Sequence, residues 1–440
     1  MDKVTNMETV NSPHRETRYK PSTQNSSPNS ALLLVRARSE GEPRKNYTLG
    51  THRTRPPNET FTVWCSVMRD LGITRVANLT GLDTLGVPVF AAIRPLSRSL
   101  VVSMGKGLTL TTARVSALME SIELWHAEHL SRISCIDSYF HLVNKGKRVI
   151  DLNGLPVVHG SQADNAAQGS WITGTSLTEG YKTLVPLDVV SMDFTQEATF
   201  RWLHRSSNGL ASGNHMLEAI THALCEVIER DAEFLWRMST DPRRVDINTI
   251  TNRTAVSLVT RLQGRGAQLA IWDITSDVGI PAYACTLLDE VDQNLWRNTG
   301  VHDGFGCHLS PAVALVRAIT EAAQTRLAHI SGSRDDIHRV ELAHTRNGDL
   351  IARVRAEMAC IPATESMRQE SRSEQHSFIE DVEFLLRRLS RIGCNQVIAV
   401  NLTREEIGVP VIKILVPGME GIYGQCEPGA RARRHISGLL

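Results

Sequence analysis

The chain has 440 residues, 41% of them apolar and 22% charged, and its 48 Lys+Arg against 47 Asp+Glu leave a formal net charge of +1. These are globular values with room for a sizeable core, and neither sign is in the excess that would make a nucleic acid or an anionic membrane the main partner. No apolar run reaches bilayer length, and Asp2, Glu8 and Asn11 stand where a secretory signal needs an apolar core, so a cytoplasmic protein is expected.

Residues 1 to 45 are rich in Ser, Asn, Pro, Arg and Glu, with one apolar burst at Ala31–Val35, and read as a tail that cannot bury enough surface to fold alone. One folded domain is expected over 46–440. From Arg75 onward, short apolar strands such as Val87–Ile93 and Leu100–Ser103 alternate with longer helical stretches, an α/β or α+β pattern with mixed sheets. Helices are predicted over 111–129, 216–236 and 311–330, each after a Gly- or Ser-containing segment read as a loop: Ser103–Gly107, Gly209–Gly213 and Gly304–Ser310. Helix N-termini behind such loops present free amides and a positive dipole end that suit phosphate. A last helix over 377–392 leads to strands at 396–400 and 409–416. No internal repeat is read. The eight cysteines are scattered singly with no CxxC pair, which predicts reduced thiols and no zinc site.

In the first helix Ser116, Glu120 and Glu123 stand at i, i+4 and i+7, one face of the cylinder. In the second, Glu218, Glu226 and Glu229 lie at i, i+8 and i+11, again on one side. Their neighbours Ala117, Leu118, Ile122, Ala223, Leu224 and Val227 are apolar, so both helices read as mostly buried. Buried like charges repel, and burying an unpaired charge costs several kcal/mol in effective terms. Two acidic stripes facing each other across cations resolve the conflict. Oxygen ligands favour magnesium, and no histidine is read with the glutamates at transition-metal spacing. Spacing alone equally allows a solvated face with Arg114 and Arg230. Gly105-Lys106-Gly107 carries a cation, but the P-loop spacing is absent.

Four ordered blocks then carry a resemblance: Ser103-Met-Gly-Lys-Gly-Leu-Thr109, Ala113–Glu123, Leu210-Ala-Ser-Gly-Asn214 with Glu218–Asp231, and Glu321-Ala-Ala-Gln-Thr-Arg326. Together they resemble the YcaO family. The resemblance implies an ATP site between helices, with magnesium held by Glu120, Glu123, Glu226 and Glu229. It implies nucleotide contacts from Arg53, Thr60, Lys106, Ser116, Asn214, Glu218, Arg230, Gln324, Arg326 and Arg334, although Arg326 and Arg334 also suit structural ion pairs with Glu321 or Asp335. Catalytic residues are left unknown, with Glu420 and His435 as weak candidates against an ordinary surface pair.

The family activity implied is ATP-dependent O-phosphorylation of a peptide backbone amide. Gly50–Arg53, Gly72–Ala77 with Leu82-Asp83, Trp125–Glu128 and Val416–Glu420 look like the subgroup that works beside TfuA-type proteins, which implies thioamide formation in a ribosomally made peptide. The last residues, Ala430–Leu440, lack the proline-rich ending usual among azoline-forming members, which counts against cyclodehydration. An azoline-forming cyclodehydratase and a non-catalytic nucleotide- or peptide-binding scaffold are the alternatives. A precursor peptide or protein, a TfuA-like partner, a sulfur donor and a second copy of the chain are the expected partners.

Overall fold

The structure is a computed structural model that describes residues 43–130, 133–290, 299–369 and 377–438. The apolar burst at 31–35 lies outside the described residues. At the start of the described chain, Arg44 bridges to Ser377 and the Lys45 ammonium pairs with buried Asp381 at 2.9 Å.

Three antiparallel sheets form the frame. The first is a meander of β1 (Arg75–Asn78), β2 (Val89–Ile93) and β3 (Val102–Lys106). A second meander joins β8 (Ala267–Asp273), β9 (Ala282–Asp289) and β10 (His302–Cys307). The largest sheet runs β4 (Cys135–Asp137), β5 (Gly169–Ser176), β11 (Ile398–Asn401), β12 (Val411–Leu415) and β7 (Leu210–Ser212), with β6 (Lys182–Pro186) beside β5. Among the described residues, parallel pairing is confined to isolated bridges such as Val149–Leu184 and Val245–Glu365.

The helices cover these sheets. After α1 (Pro57–Trp64), α2 (Leu110–Glu128) packs on β2 and β3; the short α3 is Tyr139–Asn144. The long α4 (Met216–Met238) lies on β12, β7 and β10. Helix α5 (Arg253–Gln263) packs on α6 (Pro311–Ser331), which lies on β9 and β10 and also reaches β3. The chain continues through α7 (Arg339–Thr345), α8 (Gly348–Cys360) and α9 (Phe378–Arg391) to α10 (Ala430–Ile436), and both α9 and α10 pack on α4. The apolar faces read from the sequence are the ones buried: Ala113, Ala117, Leu118 and Ile122 enter one core, and Ala223, Leu224, Val227 and Ile228 another.

The glycine segments expected as loops are strands for most of their length: Gly105 lies in β3, Ala211 and Ser212 in β7, and Gly304 and Gly306 in β10. The reason is close approach rather than turning. A Cβ on Gly105 would fall 1.9 Å from the Ala117 nitrogen and 2.4 Å from the Ala113 oxygen, so only glycine lets β3 lie this near α2. Gly304 repeats the contact on α6, at 2.0 Å from the Ala322 nitrogen and 2.4 Å from the Ala318 oxygen. Two three-stranded meanders, each delivering a glycine-bearing last strand onto the following helix, form an internal structural repeat, contrary to the expectation that the chain has none. Gly306 is the counterpart of Gly105: its Cβ would meet the Ala314 oxygen and the Ala318 nitrogen, the latter again 12 residues on, and both meanders reach their helix through connections of equal length, Lys106 to Leu110 and Cys307 to Pro311.

Candidate functional site

Helices α2, α4 and α6 turn one polar face each into a shared cavity of about 670 Å³. Its lining includes Ser116, Glu120 and Glu123 from α2, Glu218, His222, Glu226, Glu229 and Arg230 from α4, and Arg317, Glu321 and Gln324 from α6. Arg53, Thr60, Lys106, Asn214 and Arg334 complete the lining among the sequence-derived candidates.

The helix faces, not the helix N-termini, supply the charge. The N-terminal amides expected to meet phosphate are partly satisfied within the chain, Thr112 N–H by the Thr109 hydroxyl at 3.1 Å and Val313 N–H by Ser310 at 3.4 Å.

The carboxylates lie deep beneath the surface but open onto the cavity. Burial raises Glu120 to about 7 against the pull of Arg334 and Lys106. Burial also raises Glu123 to about 8, with Glu120 and Glu226 adding to it, so these three carboxylates feel one another across the space. Glu226 is raised to about 7 by burial, opposed by Arg230. Glu229 is raised by burial against Arg230 and Arg317, which stand 3.3 and 3.8 Å away, and its Oε2 accepts the Cys307 backbone N–H at 2.7 Å. Glu123 Oε1 accepts both the backbone N–H and the hydroxyl of Ser212, at 2.8 and 2.6 Å.

Basic groups form the opposite pole. Lys106 pairs with Glu321, and Arg230 reaches Glu321 at 3.4 Å and Glu233 at 2.8 Å. Burial would raise the Glu321 carboxyl, but Lys106 and Arg230 outweigh it and hold the group down to about 2. Arg53 lies 3.6 Å from Glu218, which also accepts the Thr54 N–H at 2.9 Å and its hydroxyl at 2.8 Å. The Asn214 Oδ1 accepts from the Trp64 indole at 3.3 Å, and the Gln324 amide donates to the Met104 carbonyl at 2.7 Å.

Three named candidates stand apart from the lining. Arg326 is buried in a separate network, donating to Asp83 at 3.0 Å and Asp289 at 2.6 Å; those are its ion-pair partners, not Glu321 or Asp335. Arg334 does line the cavity and pairs with Asp336 rather than Asp335. Glu420 is buried and accepts the backbone N–H groups of Gly429 at 2.7 Å and Ala432 at 2.8 Å, which makes it the N-terminal cap of α10. His435 lies near the other end of that helix, so the two are not a surface pair.

Sequence reasoning missed several groups. His222 sits four residues from both Glu218 and Glu226 on the same face, contrary to the expectation that no histidine shares it. Burial together with Arg317 and Arg53 holds its imidazole well below the usual value, so it is neutral, and its Nε2 lies 3.2 Å from Arg317 as an acceptor. Arg317 and Glu321 were missed although, with the expected Gln324, they repeat the i, i+4, i+7 spacing of the first helix, a signal that was legible. Ser212 lies in one of the blocks that carried the resemblance but was given no role of its own, and buried Lys413 carried no sequence signal beyond lying in an apolar strand.

Magnesium can be tested against this donor set. Among the described residues no three His, Cys, Asp or Glu side chains already form a group that could hold a metal. The donors are nonetheless all carboxylate oxygens, crowded on one cavity, and burial raises all four even though Arg230 and Arg317 stand close to Glu229. Magnesium is commonly held by one or two carboxylates with substrate phosphates and waters filling the remaining positions, and Glu120, Glu123, Glu226 and Glu229 fit that habit.

The comparisons with known proteins place the chain in a family. Residues 104–420 match the sequence model of the family described as YcaO cyclodehydratase, ATP- and Mg2+-binding. The chain belongs to the YcaO family, and ATP and Mg2+ are its cofactors. An uncharacterized protein of Methanothermobacter thermautotrophicus is 34% identical over 370 residues, covering 83% of this chain and 94% of that one. A Rhizobium leguminosarum bv. trifolii protein, named for its place in the tfuA 3′ region, is 33% identical over 398 residues, covering 87% and 92%. Among solved structures, the Methanopyrus kandleri YcaO bound with AMPPCP and Mg2+ has a TM-score of 0.65 at 22% identity, covering 86% of this chain and 94% of that one. A heterocyclase in complex with substrate and cofactor has a TM-score of 0.72 at 21% identity. That match covers 93% of this chain but only 58% of the heterocyclase. At these identities the likeness is one of fold.

Proposed function

We propose that the chain activates a peptide backbone amide by phosphorylating its oxygen with ATP and then replaces that oxygen by sulfur, giving a thioamide. The observation that carries the activation step is the pair of buried carboxylate rows on α2 and α4, which share one cavity with Lys106, Arg230 and Arg317.

An amide is a poor electrophile because resonance holds its C–N bond. Attack of the amide oxygen on the γ-phosphorus forms an O–P bond and breaks the bond to the β-phosphate bridge, so ADP leaves. A sulfide nucleophile then adds to the activated carbon and phosphate departs with the former carbonyl oxygen, leaving C=S. Bound magnesium would neutralise phosphate charge, and Glu120, Glu123, Glu226 and Glu229 would hold it. Lys106, Arg230 and Arg317 are placed to stabilise charge that develops on the transferred group, with Glu321 holding Lys106 and Arg230 in position. Neutral His222 orients Arg317. Arg53, Thr60, Ser116, Asn214, Glu218, Gln324 and Arg334 are the remaining proposed nucleotide contacts.

Sulfur as the nucleophile rests on the relative placed in the tfuA 3′ region. A TfuA-like partner, a sulfur donor, a homodimer, a cytoplasmic site of action and a single domain from residue 46 belong to the same reading. Ring closure by a neighbouring Cys, Ser or Thr of the substrate is the second reading, favoured by the family's description as a cyclodehydratase. Mass spectrometry of a processed peptide separates them, since sulfur for oxygen raises the mass and ring closure loses water. For the activation step, Glu120→Gln and Glu229→Gln should each abolish magnesium-dependent ATP turnover while the fold persists. Retained turnover in both would overturn the ligand set. ADP release that is indifferent to every candidate peptide would point to a non-catalytic scaffold.

A further inference from the structure

A lysine in the middle of a buried strand needs a physical reason. Strand β12 reads Val-Ile-Lys-Ile-Leu, every residue of it is buried, and Lys413 is 2% exposed. Among the described residues its ammonium makes no ion pair; it donates to the carbonyls of Ser206 at 2.6 Å and Asn208 at 2.7 Å. Burying a charge without a paired partner is costly, and a methionine would fill similar space without that cost. The charge is therefore explained by what it holds.

What it holds leads directly to the site. The carbonyls on either side of Ser207 turn inward to the ammonium, while Ser207 itself lines the cavity. The Ser207 carbonyl accepts the Leu210 N–H at 2.7 Å, which closes the turn into β7. Leu210 pairs with Lys413 across the sheet, and two residues later Ser212 grips Glu123. Glu226, on the opposing helix, is the side chain whose charge counters the burial of Lys413. One buried lysine thus stands behind the strand that holds Glu123.

We propose that Lys413 is a positioning residue of the metal–nucleotide site, pinning the 206–208 loop so that β7 presents Ser212 to the Glu123 carboxylate. This rests on the ligand reading above and extends it to a group that touches neither metal nor nucleotide.

The test uses the full chain as wild type, Lys413→Met and Lys413→Gln. Calorimetry with AMPPCP at increasing Mg2+ gives the half-saturating Mg2+, and circular dichroism with the thermal midpoint reports the fold. Measurement at about pH 9 keeps the buried carboxylates, raised to about 7 and 8, ionised. At that pH Lys413, which burial lowers to about 8, is mostly a neutral amine that still donates, so replacing it removes little charge and loosening reports lost position. The expected result for a folded Lys413→Met is a rise in half-saturating Mg2+ of about tenfold or more, the scale of outer-shell losses, with a smaller rise for Lys413→Gln, whose amide still donates. Unchanged or tighter Mg2+ binding in the folded variants overturns the proposal, and so does loss of fold in both, which would make the role purely structural. If only Lys413→Met fails to fold, Lys413→Gln decides. Glu120→Gln measured alongside separates the two ideas. Undiminished Mg2+ dependence in that variant defeats the ligand set itself, whereas loss there with wild-type behaviour at Lys413 defeats this inference alone.

Discussion

Ser212 grips Glu123 twice, through its backbone N–H at 2.8 Å and its hydroxyl at 2.6 Å, both onto Oε1. The strand β7 thereby fixes a carboxylate that belongs to a helix on a different sheet. Ser212→Ala keeps the backbone bond and removes the hydroxyl bond, a change of about 1 kcal/mol. The expected outcome is a several-fold rise in the half-saturating Mg2+ for AMPPCP binding with the thermal midpoint nearly unchanged, read by titration calorimetry and thermal denaturation.

Gly105→Ala places a methyl 1.9 Å from the Ala117 nitrogen, which is backbone and cannot swing aside. Strand β3 must lift from α2, a distortion of about 3 kcal/mol or more. Since Lys106 and Glu120 ride on these two elements, a fall in thermal midpoint should come with weakened nucleotide binding. Gly266→Ala is a control for added bulk, because nothing lies within 4 Å of that position. Its positive φ of 79° adds local backbone strain at a position outside the cavity lining.

The Arg94–Glu128 pair sets an acid limit on stability. Burial would raise the Glu128 carboxyl, but hydrogen bonds from Arg94, Ser99 and Ser97 hold it below the usual value. A folded pKa below the unfolded one means the contribution is complete above the unfolded carboxylate range. It is then lost as pH falls through the folded value. Thermal midpoints of wild type and Glu128→Gln, followed downward from neutral pH, should differ most near neutrality and converge below about pH 4. A gap that stays constant into acid would show that the pair does not set that limit.

Arg431 donates to Asp231 at 3.0 Å through two nitrogens and also reaches Asp277, and its side chain is 2% exposed. Removing one partner of such a buried pair costs about 3–5 kcal/mol. Arg431→Met should lower the thermal midpoint clearly. His435→Ala, at the far end of the same helix, should leave stability and magnesium-dependent ATP turnover as they are, in steady-state assays of both variants.

The sequence disclosed what obeys a period. Helices α2, α4 and α6 end within two residues of their expected bounds, and the glutamates of each stripe share one helix face because 3.6-residue spacing places them there. It concealed what depends on contact between distant segments. Arg326 carries the same charge as Arg317 on the same helix. Nine residues on, it stands about 180° round the helix from Arg317, so spacing already turned it from the cavity, and only its partners Asp83 and Asp289 were hidden. Gly105 and Gly304 looked like punctuation because glycine usually turns a chain, whereas here each lets a strand touch a helix. Lys413 was unreadable for a similar reason, since its partners are carbonyls some two hundred residues earlier.

The cavity takes α2 from one meander, α6 from the other and α4 from the third sheet, so no single sheet owns a complete wall. Half-folded chains should therefore have little grip on nucleotide, and ligand should act like a keystone, tying separately built arches into one unit that yields to heat or protease in a single step.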